Sequence, residues 1–173
     1  MKFVVLFLFF FAAVAANAQK EATNWYFGLK AGITFRNGTP VALLDGQTAA
    51  SEGTAVISDK NTGDLLFYTD GITVWNREHG VMENGTGLYG GSSSTQSALI
   101  IPHPSDGNLY YIFTNTGDMA RIDPEPALWY SVVDMRLDGG RGAVIVKNTK
   151  LIDSVSEKTD ATLHCNNRDI CTG

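Results

Sequence analysis

Oxygen-bearing side chains are the first candidates for chemistry in this sequence. In SDKNTGD (58–64), Asp59, Asn61 and Asp64 place three side-chain oxygens in one tight turn, the donor type that calcium takes. An EF-hand-like loop also needs ligands at alternate positions and a bidentate glutamate at the twelfth. Here Gly63 falls where a ligand should be and position 70 is Asp. An Asx-turn, in which Asp59 bonds its own backbone, accounts for the same residues. A glycosidase needs two carboxylates flanking the scissile bond at about 5–10 Å, and Glu52, Asp70, Glu78 and Glu83 are available. Nothing in their spacing separates them from solvated turn acids. His79, His103 and His164 are scattered, without H-x-x-x-H or H-E-x-x-H spacing, and read as turn or surface residues. Pro102 and Pro104 fix φ on either side of His103, which makes a rigid loop. GGSSSTQS (90–97) offers Gly91, Ser92, Ser93 and Ser94 but lacks the G-x-S-x-G elbow of a serine nucleophile, and reads as a linker.

Cys165 and Cys171 form a C-x5-C pair near the end of the sequence. In an exported chain a disulfide between them is permitted, and free thiols are the alternative. Zinc would need two further ligands, and only His164 lies nearby. Trp25, Trp75 and Trp129 could stack sugars, but aromatics of this kind more often fill a core, and that is the expectation here. Asn37-Gly38-Thr39 and Asn84-Gly85-Thr86 fit the glycosylation sequon formally. The residues by themselves assign no catalytic, cofactor-binding or metal-binding role, and no cofactor is expected.

The compartment is easier to read. In MKFVVLFLFFFAAVAANAQ, Lys2 is followed by an apolar run from Phe3 to Val14, then Ala16-Asn17-Ala18, a small-residue cleavage site. Residues 1–18 are expected to be a signal peptide cut between Ala18 and Gln19. The run is too short to span the roughly 30 Å hydrocarbon core of a bilayer as a helix. Removing these residues takes away Lys2 alone among the charges, leaving 12 basic against 18 acidic residues, a net charge of −6. The charges are dispersed, so nucleic acid and anionic membrane surfaces are poor partners.

The elements that must position these residues are strands. Eighteen glycines and five prolines cut the chain into short runs rich in Val, Ile, Thr, Phe and Tyr. The pattern predicts strands at Trp25–Phe27, Gly32–Phe35, Thr54–Ser58, Leu65–Thr69, Ile72–Asn76, Ala98–Ile101, Leu109–Thr114, Trp129–Met135 and Ala143–Lys147. Leu151–Lys158 could make a single helical turn. The fold class is all-β.

The strands repeat. A shift of 44 residues lays AVISDKNTGDLLFYTD (55–70) on LIIPHPSDGNLYYIFT (99–114): an apolar strand, a Gly-Asp or Gly-Asn turn, and a strand opening with Leu. Periods of about 40–50 residues are typical of four-stranded propeller blades. LYYIF does not alternate, so both its faces are expected to be covered, as in a stack of blades rather than a two-layer sandwich. The expected layout is an incomplete β-propeller over 19–173. Its four-stranded antiparallel blades cover 52–93 and 94–150, and a third begins in 151–173.

NWYFGLKAGITF (24–35), SEGTAVISD (51–59), GDLLFYTDGITVWNREHGVMENGTGL (63–88), SSTQSALIIPHP (93–104) and LYYIFT (109–114), taken in order, resemble the N-terminal propeller region of large secreted proteins of gliding bacteria. Those proteins typically end in a sorting domain read by type IX secretion. The 58–64 turn also resembles loosely the Asp-box hairpin of sialidase-type propellers. The resemblance implies export, a propeller and a surface role linked to gliding motility or adhesion, and carries over no catalytic residue. Where that pattern would continue with another strand, this sequence reads ICTG and ends, so a truncated piece lacking further blades is expected. The leading expectation is a non-catalytic exported module for binding or adhesion, its ligand a carbohydrate or a surface protein. The alternatives are part of an exported propeller-type polysaccharide hydrolase, or a non-functional truncated product.

Overall fold

The computed structural model describes residues 20–91, 93–116 and 127–162. The leader with Ala18 and Gln19, the residue Ser92, and the segment carrying His164, Cys165 and Cys171 lie outside the described residues.

The chain is all-β. Asn24–Phe27 (β1), Ala31–Thr34 (β2) and Val41–Leu43 (β3) form a three-stranded antiparallel sheet. Ala55–Ser58 (β4), Leu65–Thr69 (β5), Thr73–Asn76 (β6) and Val81–Thr86 (β7) form a four-stranded antiparallel meander. Ala98–His103 (β8), Asp106–Asn115 (β9), Ala127–Asp134 (β10) and Ala143–Asp153 (β11) form a second. Turn chemistry explains the reversals. Between β5 and β6, Asp70 Oδ1 accepts the amides of Ile72 (2.9 Å) and Thr73 (2.8 Å), and Gly71 takes φ +88°, which a side chain would resist.

The two meanders are joined on both sides into one nearly closed, barrel-like sheet of eight strands. On one side β7 and β11 run parallel, but the only ladder pair is Glu83↔Ala143. Beyond it side chains stitch the seam. Asn84 Nδ2 donates to Val144 O (2.8 Å), Lys147 Nζ reaches Asn84 Oδ1 (2.8 Å) and Thr86 O (3.0 Å), and Asn148 bonds Gly87 O and the Tyr89 amide. The Asn84 sequon amide is therefore engaged in the seam. On the other side Gly53 donates its amide to Ser94 O (3.1 Å), and Ser97 Oγ lies 2.8 Å from Gly53 O and 2.6 Å from Asp70 O.

One core lies between the meanders. Ile57, Phe67, Val74 and Met82 from the first meet Ile100, Ile112, Val133 and Val144 from the second. Phe67 meets Tyr110 edge-on at 5.5 Å. The opposite face of the first meander carries a second cluster, in which Tyr26 of β1 packs on Tyr68 and Trp75. The first meander is thus covered on both faces.

Several expectations change. β3 and β7 form where no strand was expected. Val41–Leu43 is short, and VMENGT is polar enough to read as a turn. The helical turn expected over Leu151–Lys158 does not form, because β11 continues through Asp153, paired with Ala127. Among the described residues only one face of LYYIF is fully buried. Tyr110 and Ile112 are buried in the core, while Leu109, Tyr111 and Phe113 on the other face are partly exposed. GGSSSTQS does connect the two meanders, as a linker should.

Candidate binding cleft

The repeat sets equivalent turns side by side. The β4–β5 turn (Asp59–Asp64) and the β8–β9 turn (His103–Asp106) flank a cleft of about 510 Å³. Its lining includes Glu21, Asp59, Lys60, His103, Asn108 and Tyr110.

Each wall is locked by its own hydrogen bonds. Asp59 Oδ1 accepts the amides of Asn61 and Thr62, both at 2.8 Å, and these bonds hold its carboxyl below the ordinary carboxylate range. Gly63 closes the turn at φ +77° and gives its carbonyl to Asn24 Nδ2 (2.9 Å). Asp64 points away, paired with Arg36, which also holds its carboxyl low. Asp59 forms the Asx-turn, and Asp64 pairs with arginine, so the three oxygens weighed for calcium do not converge. Among the described residues no group of three or more His, Cys, Asp or Glu is placed to hold a metal ion.

In the second wall, Asp106 Oδ1 accepts the Asn108 amide (3.0 Å), and Arg136 reaches both Asp106 (3.2 Å) and Asp134 (2.8 Å). The Asn108 amide, then the arginine, lowers Asp106, and the bonds to Arg136 lower Asp134. The His103 ring stacks on Tyr111 at 5.4 Å, and its Nδ1 accepts the Ser105 amide (3.2 Å), which ties the PHP loop to β9 and to its own turn.

The floor carries Tyr110 and Glu21. Burial, then the charges of Asp59 and Glu21, push the Tyr110 phenol upward, so it stays a neutral donor. Glu21 lines the cleft, and its Oε2 is buried without a hydrogen-bond partner. Neither residue stood out in the sequence. Tyr110 reads as a core aromatic, and Glu21 precedes the first strand without a pattern. The one available signal was the shift of 44 residues, which aligns the two turns.

The other candidates do not converge. Asp70 caps the β5–β6 turn, and Glu78 pairs with Arg141 at 3.5 Å beyond the far end of β6. A four-residue strand separates them by roughly 13 Å. Glu52 is exposed in the loop before β4, and Glu83 is exposed on β7. His79 joins sheets. Its Nε2 lies 3.3 Å from Asp45 Oδ2 and its Nδ1 3.1 Å from the Tyr68 hydroxyl. Trp75 is buried, as expected for a core residue. Trp25 is 48% exposed, and Trp129 is partly exposed against Tyr89 and Lys150. Ser94 is buried in the linker with its hydroxyl unpartnered, and Ser93 is partly exposed.

No helix among the described residues is long and apolar enough to cross a membrane. No known protein family, no curated protein and no solved structure matches the chain.

Proposed function

We propose that this chain is a non-catalytic, exported surface or secreted module of the propeller type, whose cleft between equivalent turns binds a neutral polyhydroxylated ligand, a carbohydrate. The carrying observation is the lining of the cleft: the partly exposed Glu21 carboxylate and the Tyr110 phenol stand between two hydrogen-bonded turns. Sugar hydroxyls donate to carboxylates and accept from phenols, and aliphatic sugar faces lie against rings such as His103. Three acids (Glu21, Asp59 and Asp106) against Lys60 disfavour an anionic ligand. Rigid walls limit the ordering cost of binding. Export rests on the leader pattern, and the propeller-type reading on two four-stranded antiparallel meanders related by a 44-residue repeat.

The test is a glycan array, followed by calorimetric titration of the hits, with the mature chain and the variants Glu21→Gln and Tyr110→Phe. A hydrogen bond to a charged group is worth about 1.5–3 kcal/mol, so Glu21→Gln should weaken binding about tenfold or more. Tyr110→Phe should weaken it less. Binding unchanged in both variants, or no glycan bound by the folded chain, would rule the reading out.

A further inference from the structure

The β1–β3 sheet and the two meanders of the eight-stranded sheet pack as three layers in one sense. Val56 and Tyr68 face the preceding β1–β3 sheet, and Ile100 and Ile112, which stand 44 residues further on, face the preceding meander. Ile57 and Phe67 face the following meander, and their counterparts by the same shift are Ile101 and Tyr111. Phe113 and Tyr130 pair across β9 and β10 beside Tyr111, with rings 5.9 and 6.0 Å from it. Among the described residues no sheet lies across this aromatic face. At the other end of the stack, Trp25 and Phe27 of β1 point away from the first meander, 48% and 38% exposed, while Asn24 and Tyr26 point inward.

We infer that a second copy of this chain covers the open face, head to tail: the Ile101–Tyr111–Phe113–Tyr130 face of one copy takes the Trp25–Phe27 face of the next. Both interfaces inside the chain join a following-type face to a preceding-type face, and the outer side of β1–β3 is the preceding-type face left outward. The contact continues an arrangement the chain already uses twice. It is heterologous, so it closes into a ring or extends as a filament rather than stopping at a symmetric pair. Apolar rows at both ends of a stack are the kind of surface that marks an interface. The inference does not rest on the carbohydrate reading, because the cleft lies at the turn ends of the strands.

The test is sedimentation velocity on the mature chain over a concentration series, with Phe27→Lys and Tyr111→Lys. The unaltered chain is expected to form concentration-dependent species larger than a dimer, and each variant alone to be monomeric. Mixing the variants should give a dimer and nothing larger, since each supplies the end that the other lacks. A monomer at every concentration, self-association of Phe27→Lys as in the unaltered chain, or a mixture that stays monomeric would each overturn the inference. Circular dichroism verifies the fold of each variant, and glycan binding measured on Phe27→Lys, which lies away from the cleft, separates failure here from failure of the cleft.

Discussion

The phenol ring of Tyr26 stacks on that of Tyr68, with 4.6 Å between centroids and 19° between planes. The two hydroxyls are linked through a second pair. Tyr26 donates to Asp45 Oδ1 (2.9 Å), Asp45 Oδ2 meets His79 Nε2, and His79 Nδ1 meets the Tyr68 hydroxyl. This closed circuit fastens the β1–β3 sheet to the first meander. Replacing a buried aromatic with alanine costs about 3–5 kcal/mol, and removing a hydroxyl bonded to a carboxylate about 1.5–3 kcal/mol. Tyr26→Ala should therefore lower unfolding stability about twice as much as Tyr26→Phe, as read by chemical denaturation.

The same joint makes the protein sensitive to alkali. Burial pushes the Tyr68 phenol up to about 12, and burial with the Asp45 bond raises Tyr26 as well. An unfolded tyrosine ionises near 10. Above that pH the unfolded chain loses protons that the folded chain retains, so stability falls as pH rises from about 10 towards 12, by about 1.4 kcal/mol per pH unit for each such phenol. Denaturation midpoints across this window should decline less steeply in Tyr68→Phe than in the unaltered chain. Parallel slopes would contradict this account.

Gly53 lies where the two meanders close. A Cβ there would sit 2.5 Å from Ser97 N and 2.8 Å from Gln96 Cα, and neither backbone atom can yield cheaply. Gly53→Ala should cost about 1–3 kcal/mol through forced displacement. Gly107 has open space around its missing Cβ, so Gly107→Ala should stay within about 0.5 kcal/mol of the unaltered chain. Thermal melts of the pair test the seam against a turn.

Asp59 should show what its turn needs. Asparagine keeps an acceptor for the Asn61 and Thr62 amides, whereas alanine leaves them to water, so Asp59→Ala should cost about 1 kcal/mol and Asp59→Asn less. The lowered Asp59 carboxyl contributes stability that is present above the ordinary carboxylate range and lost as pH falls through its own value. Denaturation curves at neutral and acid pH should therefore show the Asp59→Ala penalty shrinking on acidification.

Much of this architecture was legible because local chemistry and fold agree. Leu65–Thr69 forms with the bounds its apolar run implies, and the Asp70-Gly71 turn needs the residues it has. β7 was hidden because Glu83 and Asn84 are polar, and their strand is held by side-chain bonds across the seam rather than by an apolar face. The cleft was harder to see. Glu21 and Tyr110 are 89 positions apart, and only the folding of both repeats brings them together. The joint at Asp45 and His79 is likewise a contact between sheets, and no spacing along the chain encodes it.

The β7–β11 seam gives the barrel a soft side. One ladder pair and a few stitching side chains stand there, against seven ladder pairs between β9 and β10. Part of that stitching is an ammonium group among oxygens, which dissolved ions weaken. Brief openings should therefore start along this line and leave each meander intact, so amide protons near Val144 should exchange sooner than those of Ile112, and sooner still in concentrated salt. The β4–β8 side, held by Gly53, Ser94 and Ser97 without a ladder, is a second such line, so the barrel opens between its meanders before either meander frays.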